Sequence, residues 1–186
     1  MVSFTIDTMS SSYSKCINMA IAAAMKSNMV HKHGCVIALN GKVISSGFNN
    51  LRNYSNDGLI DCCPSCHAEI SAIRKIHCLS KLRGHYSSGY NDRHIYKIRK
   101  YIKKLNLFVV RINKQNIIKS SAPCIYCIKI IKMLDFNKII YSEDNGSFTD
   151  CKPHNYKITH TSDAYRYLSF LKYAKPGEIF ISKKHM

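Results

Sequence analysis

Cys66-His67-Ala68-Glu69 and, much later, Pro123-Cys124-Ile125-Tyr126-Cys127 are the two short stretches around which the chain is organised. Zinc takes four ligands in a tetrahedron, and His67, Cys124 and Cys127 offer one imidazole and two thiolates. Three protein ligands leave a position for water, as hydrolytic chemistry requires. Glu69 follows His67 by two residues, too close to join the same shell comfortably yet near enough to carry a proton to and from the reacting atoms. A lone Cys-x-x-Cys is a weak signal, since it serves redox pairs and structural zinc sites as well. A closed structural site would need a fourth protein ligand and would leave Glu69 unexplained.

Both stretches open runs with helical apolar spacing. Ile70, Ile73 and Ile76 follow the first, and Ile128, Ile131 and Leu134 follow the second. On a helix Cys124 and Cys127 share a face, so both sulfurs can converge on one metal, and the positive helix end favours thiolates. His-x-Glu combined with Pro-Cys-x-x-Cys resembles the cytidine and deoxycytidylate deaminase superfamily. The resemblance covers about residues 8–142. It implies one catalytic Zn2+ on His67, Cys124 and Cys127, with Glu69 as the proton carrier in hydrolytic deamination of a base. It also implies that backbone N–H groups near Ala68 and Cys124 orient the water or the tetrahedral centre. Cys62, Cys63 and Cys66 invite a second, structural zinc, but Cys66 adjoins His67 and the remaining ligands cannot be named, so one zinc per chain is expected.

The 186 residues suit one domain with a sizeable core. Lys and Arg outnumber Asp and Glu by 28 to 11, a net charge of +17 that favours anionic partners such as nucleotides or nucleic acid. Eleven of those bases and one acid, Asp92, fall between residues 79 and 119. Nine cysteines, an odd number with two assigned to metal, fit a reducing, cytoplasmic compartment. The run Ile17 to Met25 is too short to span a bilayer and lacks a basic leader, so neither a membrane anchor nor a signal peptide is expected.

In chain order, a helix is expected from about Thr8 to Asn28. Gly34 to Leu39 and Lys42 to Phe48 read as antiparallel strands joined by Asn40-Gly41, which suits a type I′ turn. Gly47-Phe48-Asn49 resembles the family's Gly-aromatic-Asn element, which implies that Asn49 contacts substrate; read without the family, Asn49 is a turn residue bonding to backbone. A helix over 67–78 leads to a basic insertion at about 79–106. Its amphipathic part turns Ile95, Ile98, Ile102 and Leu105 inward and Lys97, Arg99, Lys100, Lys103 and Lys104 outward, as candidate phosphate contacts. Strands are expected at 107–112 and 138–142, parallel to each other across the second zinc helix. In the family the first of these runs almost directly into the zinc motif, behind a polar residue; here residues 113–121 intervene and Ala122 precedes Pro123. A loop over 146–157, a helix from Thr161 to about Tyr173 and a short strand at 179–181 complete a three-layer α/β/α sandwich with a mixed sheet.

Two enzyme readings and one non-enzyme reading follow. The first is a deaminase of free nucleosides or nucleotides, most like deoxycytidylate deaminase. The second acts on a base within RNA or single-stranded DNA and draws on the charge. The third is a non-catalytic zinc-containing binding module, which the presence of Glu69 opposes. The resemblance further implies a homo-oligomer.

Overall fold

The computed structural model describes residues 2–5, 9–57, 59–60, 64–76, 92–158, 161–162 and 166. Their elements are β1 (Val2–Phe4), α1 (Ser11–Met25), β2 (Lys32–Leu39), β3 (Lys42–Phe48), α2 (Ala68–Ile73), α3 (Asp92–Ile102), β4 (Asn106–Ile112), β5 (Ile118–Lys119), α4 (Ile125–Leu134), β6 (Lys138–Ser142), β7 (Phe148–Cys151) and a 3-10 turn over Pro153–Asn155. One mixed sheet runs β1-β7-β6-β4-β2-β3, with β5 added beside β4.

The β2–β3 hairpin turns on Asn40 and Gly41, at φ 49° and 78°, as a type I′ turn requires. β4 lies antiparallel to β2 and parallel to β6, as the crossover through α4 predicts. Successive side chains of a strand face opposite ways, and the sheet divides accordingly. Val36, Ala38, Phe108 and Val110 meet Cys16, Ile17, Ala20 and Ala24 of α1 on one face. Cys35, Ile37, Leu107, Val109 and Ile139 meet Ile70 and Ile73 of α2, Ile98 and Ile102 of α3, and Ile128 and Ile131 of α4 on the other. The result is the expected three-layer α/β/α sandwich.

Several expectations need correction. The helix placed over 67–78 closes at Ile73, where the bonds Lys75 N–H to Ala72 O and Ile76 N–H to Ile73 O tighten to three-residue spacing. Within the stretch expected to be a loop, Phe148–Cys151 forms a strand against β6. Only Phe148 and Cys151 are strongly apolar there, so tertiary pairing rather than pattern makes it a strand. β1 and β5, three and two residues long, carry too little periodicity to be legible in the sequence. Ile98, Ile102 and Leu105 are buried as expected. Cys62, Cys63, residues 79–91, nearly all of the last expected helix and the 179–181 strand lie outside the described residues.

Two glycines let helices rest directly on the sheet. A Cβ at Gly34 would stand 2.0 Å from Ala20 O of α1, and one at Gly47 would stand 2.4 Å from Ala72 N and 2.8 Å from Ala68 O of α2. Gly47 therefore sets how closely the helix carrying Glu69 approaches β3. Gly47→Ala is expected to destabilise the fold by about 3 kcal/mol through overpacking. Gly146, at φ 79° with nothing within 4 Å of a Cβ, should cost only about 1 kcal/mol on Gly146→Ala, from backbone strain. Denaturant midpoints of the two variants check this ordering; equal losses would remove the close-approach account.

Candidate active site

His67 and Cys124 are the N-cap residues of α2 and α4, so two helix starts meet at one end of the sheet. Their approach is set by bonds outside the helices. Asn50 and Cys66 exchange backbone hydrogen bonds of 3.0 and 2.9 Å, which fixes the entry to His67. Tyr156 Oη donates to Pro123 O at 2.8 Å and holds the entry to Cys124. Tyr126 Oη donates to Leu59 O at 2.6 Å, tying α4 to the loop before the first motif.

His67 Nδ1 lies 3.2 Å from Cys127 Sγ and 3.4 Å from Cys124 Sγ. With bonds of about 2.0 Å to nitrogen and about 2.3 Å to sulfur, tetrahedral zinc sets such donors roughly 3.5 Å apart. All three ligand atoms fall within 4.8 Å of one another, and among the described residues this is the one such group of His, Cys, Asp and Glu. The electrostatics fit a cation as well. The bond from Cys127, with the bond and charge of His67, holds Cys124 low, as a thiolate; burial, then Cys124, pushes Cys127 well up. Burial alone would lower His67, but the Cys124 bond and the charges of Glu69 and Cys124 outweigh it and raise the imidazole. Two adjacent buried thiolates beside a carboxylate need a divalent cation to coexist.

Glu69 sits in the first turn of α2, 5% exposed. Burial pushes its carboxyl up, His67 pulls it down and Cys124 raises it again. Glu69, His67, Ala68 and Cys124 line one cavity of about 790 Å³, the size of a small-molecule pocket.

Asn49 also lines this cavity. Its Oδ1 accepts from His33 N–H at 2.8 Å and its Nδ2 donates to His31 O at 2.7 Å, so its amide braces the segment entering β2. Lys97, Arg99, Lys100, Lys103 and Lys104 are exposed, and none lines the cavity. Lys103 pairs with Asp135 at 2.9 Å.

Sequence reasoning overlooked His31, His33, Arg111, Ser120 and Ser121, which all line the cavity. The available signal was Arg111, a charge at a position where the inward alternation of Leu107 and Val109 calls for an apolar side chain. Ser121 closes the intervening segment: its Oγ donates to Val109 O at 2.7 Å, and Ser142 N–H and Oγ both bond it at 2.9 Å. Residues 113–121 thereby return to the sheet before Pro123, and Ala122 stands on the cavity wall.

Among curated proteins no match is found. Among solved structures, the chain is similar to dCMP deaminase from the cyanophage S-TIM5 in apo form, at 20% identity over 73% of this chain and 86% of that one, TM-score 0.42. It is similar to cytidine deaminase from Burkholderia pseudomallei at 20% identity over 79% and 95%, TM-score 0.46. The phage enzyme in complex with dCMP and dUMP matches at 19% identity over 71% and 79%, TM-score 0.37. The profile of the cytidine and deoxycytidylate deaminase zinc-binding region matches residues 10–143, a span that contains His67, Glu69, Cys124 and Cys127, and the chain belongs to that family.

Proposed function

We propose that the protein is a zinc-dependent hydrolytic deaminase of a free cytosine nucleotide, converting dCMP and water to dUMP and ammonia. One observation carries this: buried Glu69 stands beside the His67–Cys124–Cys127 cluster on the wall of a nucleotide-sized cavity. Zinc held by these three side chains supplies the Lewis acidity that makes water a nucleophile at neutral pH. Glu69 takes a proton from the water as its oxygen attacks the carbon bearing the exocyclic amine. It then gives that proton to the ring nitrogen, takes the remaining proton from the newly added hydroxyl and passes it to the amine, which leaves as ammonia as the C–N bond breaks and the carbonyl forms. A carboxyl pushed up by burial suits both halves of that exchange. Ala68, the first residue of α2, lines the same space. Asn49 Oδ1 and Nδ2 each make one bond to backbone, which leaves each with capacity for one more, toward a nucleoside.

A second reading, deamination of a base within RNA or single-stranded DNA, is favoured by one observation, the exposed basic face of α3. Such binding should weaken with salt at a log–log slope of about −0.7 per contacted phosphate of a single strand, whereas a mononucleotide gives a shallow slope.

Metal analysis of the purified protein should give one zinc per chain. His67→Ala and Cys124→Ala are expected to lose it and to melt at lower temperature, whereas Glu69→Gln keeps zinc and loses at least roughly 100-fold in ammonia release. The substrate is read by screening cytidine, deoxycytidine, CMP, dCMP, adenosine and oligonucleotides for ammonia. Full turnover by Glu69→Gln would end the proton-carrier role, and turnover of oligonucleotides alone would replace the first reading by the second.

A further inference from the structure

We propose that Arg111, with His31 beside it, is an anion subsite of the cavity that Glu69 also lines, built to take the 5′-phosphate of a nucleoside monophosphate. This rests on the deaminase reading for the base end of the cavity and adds the group that distinguishes a nucleotide from a nucleoside.

Arg111 lies on β4 two residues beyond Val109, on the sheet face that α2 and α4 cover. Its directly opposed neighbours are His33 on β2 and Lys119 on β5. Directly opposed residues of adjacent strands project from the same face, so Arg111 and Lys119 set two positive charges side by side, while His33 on the other flank, its pKa lowered by burial to about 4, is uncharged at pH 7. Like charges so placed are unfavourable unless an anion joins them. Among the described residues no carboxylate pairs with Arg111, and Glu69 is the one carboxylate lining the cavity. Arg111 Nη2 meets His31 Nδ1 at 3.0 Å, an imidazole nitrogen that can accept the bond but brings no negative charge. Arg111 Nε is buried without a partner, the one side-chain nitrogen or oxygen in that condition among the described residues.

A buried guanidinium donor left unpaired costs more than the apolar side chain that the strand pattern calls for, so the residue is badly chosen for folding alone. It suits phosphate, whose oxygens accept the planar fork of Arg in pairs. Arg111 also belongs to the same cavity as Glu69 and Cys124. The exposed lysines of α3 do not line this space.

The test uses the zinc-loaded full chain in two arms. In the first, kcat/KM is measured for dCMP, for deoxycytidine and for a cytosine-containing oligonucleotide, in wild type, Arg111→Met and Arg111→Lys. Arg111→Met should cut the preference for dCMP over deoxycytidine by roughly 10- to 100-fold, mostly through KM, and Arg111→Lys should fall between, keeping charge without the fork. In the second arm, dUMP and deoxyuridine are titrated calorimetrically into Glu69→Gln and into Glu69→Gln with Arg111→Met. The added substitution should weaken dUMP and leave deoxyuridine nearly unaffected. Arg111→Met removes a charge opposite Lys119 and a buried unpaired nitrogen, so its melting temperature should not fall, and a structural role would lower it. Equal losses on dCMP and deoxycytidine, dUMP affinity indifferent to Arg111, or an effect confined to the oligonucleotide would each overturn the subsite. Absence of all cytosine deamination would sink the deaminase reading instead, and the dUMP titration would still decide the anion site.

Discussion

Two helix starts separated by 57 residues must bring one imidazole and two sulfurs within bonding distance of each other, and most of the surrounding structure serves that meeting. A buried cluster of this kind is unfavourable without a cation, because each added thiolate raises the cost of the next. Its geometry therefore has to be imposed by the fold. Gly47 lets α2 lie against β3, the Asn50–Cys66 exchange fixes the approach to His67, and Tyr156 holds Pro123. None of these groups is itself one of the three candidate ligands, yet each limits where they can stand.

The segment between β4 and the second motif is solved by a different device. Ser121 and Ser142 form a buried network with Val109 O and Lys119 O, so an added loop is sealed to the sheet by satisfied hydrogen bonds rather than by apolar contacts. The same network places β5 opposite Arg111 and makes the cavity wall from residues that a shorter connection would not supply.

The cavity wall carries both signs of charge: Glu69 and Cys124 on one hand, Arg111 and Arg166 on the other. A ligand with a polar ring and an anionic group matches such a lining. The larger basic excess, on α3, lies outside this space, so the net charge of the chain and the charge of the cavity are separate properties.

The sequence by itself determined the His67, Cys124 and Cys127 cluster, the position of Glu69 beside it, the hairpin and the layer order. Each is written in local chemistry: His-x-Glu, Pro-Cys-x-x-Cys, Asn-Gly, and periodicities of 2 and 3.6 that remain legible without neighbours. Only the tertiary structure decided the rest. The strand Phe148–Cys151 exists because β6 offers it an edge, and α2 ends early because its last turn tightens against the core. Asn49 could be read as a ligand contact or a turn residue from the sequence; the fold brings His31 and His33 to its amide. Arg111 looked like one base among eleven until the pairing of β2, β4 and β5 set it between His33 and Lys119 with a buried, unpaired nitrogen. That distinction depends on register between strands distant in sequence, which no local pattern encodes.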